Sequence, residues 1–124
     1  MAGEIITDAG LNQLAKLFSG QDTAAFAYIA LGTGTNGPTA DDTELENEVL
    51  RKAATVTVEG NKVTFEITIN PGELIATNVT EVGLFNDAAA GVMYYRKVRD
   101  QGLYFDTDIG ANVSIEITFS GGGS

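Results

Sequence analysis

Neither cysteine nor histidine occurs among the 124 residues. The first absence removes disulfides, thiolate nucleophiles and thiolate zinc sites; the second removes imidazole ligands and the usual general base of a hydrolase triad. Cations are scarce as well: seven Lys and Arg stand against seventeen Asp and Glu, for a net charge of −10. Phosphate binding needs clustered basic residues that release counterions, so this balance argues against nucleic acid as a partner. Arg96, Lys97 and Arg99 do lie close together, but Asp100 follows at once, and the patch reads as an ion-pairing or interface feature. No apolar run approaches the roughly 18 residues of a membrane span, so no membrane partner is expected. The opening Met1-Ala2-Gly3-Glu4 lacks the basic start and apolar stretch of a signal peptide, which predicts synthesis in a cytoplasm without a secretion route.

Carboxylates, lysine, tyrosine and hydroxyls remain, in no recognisable catalytic constellation. The expectation is a chain that is not an enzyme, with no catalytic residue, cofactor or metal. A hydrophobic fraction of 44% suits one globular domain, over residues 1–120. Gly121-Gly122-Gly123-Ser124 reads as a linker-like tail.

The segment from Ile6 to Gly20 predicts a helix. Thr7 or Asp8 can cap its first turn, and Gly20 suits the left-handed position that ends it. Leu11, Leu14, Ala15 and Phe18 recur at helical spacing, an apolar stripe expected to lie on the rest of the fold. Ala25 to Leu31 predicts a central strand, and Thr43 to Arg51 a short helical or irregular stretch. The clearest pattern is Ala54 to Ile69, two period-two strands around Gly60-Asn61. Pairing Glu59 with Lys62 sets Val58 against Val63 and Val56 against Phe65 on one face, and Thr57 against Thr64 on the other. Asn70-Pro71-Gly72 turns the chain, and strands follow at Val79 to Phe85, Val92 to Val98 and Asn112 to Phe119, the last with Val113, Ile115, Ile117 and Phe119 inward. The fold class expected is mainly β (α+β), an antiparallel sheet or sandwich with one N-terminal helix packed against it.

Several motifs invite chemistry. Gly32-Thr33-Gly34-Thr35-Asn36-Gly37 has the G-x-G-x-x-G spacing, but Pro38 and the carboxylates of Asp41 and Asp42 follow where a phosphate-binding helix should open, so it reads as a flexible surface loop. Asp106-Thr107-Asp108-Ile109-Gly110 begins like a calcium loop but lacks the later glutamate, and the acidic run Asp41 to Glu48 reads as a solvated surface. Asn78-Val79-Thr80 and Asn112-Val113-Ser114 match the glycosylation sequon by chance, given the absence of a signal peptide. Tyr and Arg are enriched at protein interfaces, and Tyr94, Tyr95, Arg96 and Arg99 are therefore the candidate interface residues.

Four stretches in order carry a resemblance: Thr7-Asp8-Ala9-Gly10-Leu11; Ile29-Ala30-Leu31-Gly32-Thr33-Gly34; Leu45-Glu46-Asn47-Glu48-Val49-Leu50-Arg51; and Glu81-Val82-Gly83-Leu84-Phe85. Together they resemble the N-terminal domain of phage tail-collar fibre proteins and related small phage virion structural proteins. The resemblance spans about residues 5–98 and implies a non-catalytic part of the virion: a tail-fibre or baseplate attachment module, or a capsid decoration protein. It implies self-assembly as a homo-oligomer, often a trimer, and docking on other virion proteins. A carbohydrate- or calcium-dependent binding module is the alternative. Within the third stretch, Glu48 and Arg51 are expected to pair at i, i+3 on a helical face.

Overall fold

A computed structural model describes residues 3–120, and in it the alternating segments form two antiparallel sheets packed face to face. The larger has five strands in the order β1 (Gly3–Ile6), β7 (Met93–Phe105), β6 (Thr77–Phe85), β2 (Tyr28–Gly32), β3 (Glu48–Ala53). The smaller has three, β4 (Thr55–Glu59), β5 (Lys62–Ile69) and β8 (Ala111–Thr118), with β5 in the middle. The fold is thus mainly β with one helix, α1 (Asp8–Phe18), as the pattern predicts. No helix among the described residues is long and apolar enough to cross a membrane. The Gly/Ser tail lies outside the described residues.

The hairpin takes the expected register, from Glu59↔Lys62 to Thr55↔Glu66. Only Gly60 of its turn has positive φ, at 60°, the type II′ arrangement with glycine at the first central position. Phe65, Ile67, Ile69, Val113 and Ile115 point from the small sheet onto Ile29, Leu31, Val79, Val82 and Leu84 of the large one, forming the main core. On the far face of the large sheet, Leu45 from the segment before β3 covers Ala30, Phe85 and Met93.

Four expectations change. The stretch ending at Arg51 is not helical: Glu48–Ala53 is an edge strand on β2, because Leu50 and its neighbours gain more from pairing with Leu31 and Ala30 than an isolated turn of helix offers. Two strand segments escape the periodicity reading, the four-residue β1 and the second half of β7, which pairs Leu103 with Val79 after an irregular excursion. Phe119 lies beyond β8 and is 46% exposed rather than inward. The fourth concerns the helix.

Thr7 caps α1, accepting from the Gly10 N–H at 2.9 Å while its hydroxyl donates to the Met93 carbonyl. The side turned to the sheet carries only part of the apolar stripe: Gly10 and Gln13 are the buried residues of α1, and Leu14 is half-buried against the main core. A Cβ on Gly10 would overlap the Tyr94 backbone, so the glycine that weakens the helix is what allows it to approach β7. Gln13 donates to the Ala24 carbonyl and holds the loop after the helix. Leu11, at 48%, and Phe18, at 95%, are left facing outward.

Glu48 and Arg51 do pair, through Nε at 2.9 Å and Nη2 at 2.6 Å, although on a strand. In a regular strand residues three apart lie on opposite faces. Here Arg51 faces Ala30 and Glu48 faces Gly32, so the intervening Val49 is one residue too many, and this bulge returns Glu48 to the face of Arg51. Arg51 also stacks 3.7 Å over the Phe85 ring and donates to the carbonyls of Asp87 and Ala90. Glu48→Ala and Arg51→Ala, alone and combined, are expected to lower stability non-additively, with a coupling of about 1 kcal/mol in urea unfolding. Strictly additive losses would show that the pair contributes nothing.

Candidate functional site

The most unusual side chain is Glu81 on β6, a carboxylate with no exposed surface. Burying an anion costs several kcal/mol unless it is paired and hydrogen-bonded. Its Oε2 accepts from the N–H groups of Gly34 at 2.9 Å and Asn47 at 2.8 Å. Its Oε1 accepts from the Glu46 N–H at 2.9 Å and from Arg96 Nε at 3.1 Å. Arg96 Nη2 lies 3.0 Å from that same oxygen, in ion-pair contact without hydrogen-bond geometry. The four acceptor positions of the carboxylate are thus all engaged.

Glu81 explains the glycine-rich loop. A Cβ at Gly32 or Gly34 would collide with the Glu81 carboxylate, so only glycine lets the backbone close over it. The loop does cradle an anion through backbone N–H groups, but the anion is the chain's own side chain. It is therefore no flexible surface loop over its first half: Thr35 and Asn36 N–H groups donate to Glu46, and the Thr80 hydroxyl donates to the Gly34 carbonyl.

The acidic run before β3 is engaged in the same way. Asp42 receives Arg96 Nη1 at 3.0 Å and both the N–H and hydroxyl of Thr39. Burial pushes the Asp42 carboxyl up, but Thr39 and Arg96 outweigh it and hold it below its ordinary 3.8. The Asn36 N–H foremost, then that of Thr35, holds Glu46 below 4.5. Among the described residues no group of three or more Asp and Glu is placed to hold a metal ion. In the Asp106 loop the carboxylate of Asp106 accepts instead from the Thr107 N–H and the Tyr104 hydroxyl.

The four candidate interface residues separate. Tyr94 is 4% exposed and stacks on Phe26 with centroids 4.9 Å apart, and Arg96, 2% exposed, belongs to the Glu81 cluster. Neither offers surface while the chain keeps this fold. The alternation used to place them breaks at Tyr94, a bulge residue between the pairs Met93–Phe85 and Tyr95–Leu84. Tyr95 is half-buried and donates to Glu4 at 2.6 Å, and burial, with Glu4 beside it, pushes its phenol upward. Arg99 lines a shallow surface depression with Gly3, Glu4, Lys97, Asp100 and Gln101.

The outer surface offers a different candidate. Leu11, Leu14, Ala15 and Phe18 of α1, together with Phe119 beyond β8, line an open groove that is almost wholly apolar. Their helical spacing was legible in the sequence; the outward direction of Leu11 and Phe18 was not, because it depends on Gly10 and Gln13 taking the inward side.

Replacing Glu81 by Gln leaves the buried Arg96 with Asp42 as its one remaining counter-charge in the cluster and turns an amide N–H toward backbone donors. Glu81→Gln is expected to cost about 3–5 kcal/mol in urea unfolding; a loss below about 1 kcal/mol would mean the carboxylate is not the organising group. Because Asp42 and Glu46 bind protons less tightly folded than unfolded, the stability they add is present above their ordinary values of 3.8 and 4.5 and is lost as pH falls through and below that range. The urea midpoint should therefore fall from about pH 5 downward, and Asp42→Asn should flatten that slope. An unchanged slope would remove Asp42 from the account. Comparison of the chain with protein-family models, with curated proteins and with solved structures returns no match.

Proposed function

We propose that the chain is a non-enzymatic structural protein of a phage virion, a tail-fibre or baseplate attachment module or a capsid decoration protein, that assembles with itself and docks on other virion proteins. The observation that carries the assembly part is the outward apolar stripe of α1, with Phe18 at 95% exposure. Leaving a phenylalanine in water forfeits roughly 1.5–3 kcal/mol that a covering partner would recover. Contiguous apolar surface of this kind marks interaction sites on soluble proteins.

The virion part is supported by the resemblance stated above, for which the fold supplies a physical reason. Gly32, Gly34, Asn47 and Glu81 meet in one hydrogen-bonded cluster, and Glu48, Arg51 and Phe85 in the adjoining one. The residues that carry the pattern thus build a rigid frame and leave the surface free to vary. The reading as a non-enzyme is supported by the engagement of the buried carboxylate and guanidinium with each other and with backbone.

Immunogold labelling of phage particles from cells carrying the gene tests this directly. Label is expected on the tail or capsid of intact particles; a chain found wholly outside the particles would overturn the reading. Phe18→Ser is expected to reduce incorporation at least tenfold while changing stability by less than about 0.5 kcal/mol, since Phe18 touches little of its own chain. Undiminished incorporation would remove the α1 stripe from the docking surface.

A further inference from the structure

We propose that the free edge of β4 is a self-association site, on which a second copy of the chain pairs its own β4 antiparallel about a two-fold axis through Thr57. This rests on the reading of the chain as a self-assembling module and names the contact.

The hairpin fixes which backbone groups are available. Across a two-residue turn Glu59 and Lys62 exchange both hydrogen bonds, so Thr57 and Thr55 also bond to β5. The N–H and C=O groups of Val56 and Val58 must then point away from β5, to the side where, among the described residues, no strand lies. Every residue of β4 is exposed. Val56 is 43% and Val58 68% exposed, on the face where Phe65 and Ile115 are buried and Val63 and Ile117 half-buried.

Sheet edges are normally blunted by charge, proline, bulges or brevity. The outer strand β3 carries Glu48, Arg51, Lys52 and the Val49 bulge, and β1 has only four residues. The remaining edge, β8, presents Glu116 among the residues whose backbone faces outward, since Ile115 and Ile117 bond to Phe65 and Val63. From Thr55 to Val58, β4 carries no charge, proline or bulge.

A second copy fits by register and by charge. With Thr57 facing its own symmetry mate, Val56 falls opposite Val58 of the other copy, and both have outward-pointing bonding groups. Glu59 falls opposite Thr55 and not opposite another glutamate, so no like charges face each other across the strands. For a chain of net charge −10, an uncharged strip is where two copies meet without carboxylates opposed. The result is one continuous sheet of six strands, β8-β5-β4-β4-β5-β8. Five edge residues a side are far fewer than the roughly 20–30 of a standard interface, so the contact is weak and sensitive to dilution.

Because the chain lacks cysteine, Thr57→Cys introduces a single thiol. In a non-hydrogen-bonded antiparallel pair the facing Cα atoms lie about 4.5 Å apart, within the span a disulfide bridges. With oxidised glutathione as the electron acceptor, Thr57→Cys is expected to give a covalent dimer. Val56→Cys and Val58→Cys, each two residues out of register with its own mate, are expected to give at least tenfold less, whereas an equimolar mixture of the two cross-links. As an independent arm, Val58→Pro removes an outward N–H and breaks no β4–β5 hydrogen bond; it is expected to halve the native mass at concentrations where the wild type is dimeric while leaving the urea midpoint of the dilute monomer in place. A wild-type monomer at all concentrations, a trimer, or an oligomer in which Thr57→Cys fails to cross-link would each overturn the inference. The proposed function is tested separately: particle labelling without β4 cross-linking retains the virion role and discards this contact, and cross-linking without labelling does the reverse.

Discussion

A buried carboxylate with four donors around it is the constraint on which the large sheet depends. Glu81 sits on β6, yet the groups that neutralise it come from the loop after β2, the segment before β3, and β7. Each of those pieces is thereby fixed relative to β6 by something more directional than apolar contact. The arrangement dictates sequence at a distance: glycine at 32 and 34 for lack of room, and arginine at 96 for charge. Replacing such a network wholesale by apolar residues can be neutral for stability. What the carboxylate adds here is uniqueness, because only one path of the segment from Leu45 to Asn47 brings two N–H groups onto it.

This explains which parts of the molecule were legible beforehand. The β4–β5 hairpin was readable to the residue, since turn chemistry and alternation are both local and agree. The strand β3 was not, because its pattern Glu-Val-Leu-Arg alternates only once the Val49 bulge is known, and a bulge is set by the partner strand. The Glu48–Arg51 pair was anticipated from spacing alone, and it forms for a reason that spacing could not supply. Glu81 itself gave no signal: a glutamate between valines and threonines looks like an outward position of a strand. The glycines at 32 and 34 were the visible trace of it, as the imprint of a carboxylate on the backbone that covers it.

The helix teaches the complementary lesson. Periodicity identified the amphipathic face of α1 but not its direction, since the inward side is decided by Thr7, Gly10 and Gln13, none of them apolar anchors. Close approach to the backbone of β7 needs a small residue, and Leu11 and Phe18 are left on the other side. Tyr94 shows the same effect from the opposite partner, as a bulge residue that breaks the alternation of β7 next to the helix.

The short strand β1 has a consequence for how the molecule comes into being. Gly3 pairs with Val98, and Ile6 with Tyr95, so the first of the five strands of the large sheet in chain order waits for the last of them. At about 5–20 residues per second, that interval is several seconds during which the N-terminal segment has no partner. The β2–β3, β4–β5 and β6–β7 pairs join neighbours in chain order and can close early, but β2 must wait for β6, and β5 for β8. Pairings so distant in sequence place the domain among slow folders, and they make the completion of β7 the event that recruits β1, seats α1 through Thr7 and brings Arg96 to Glu81 together.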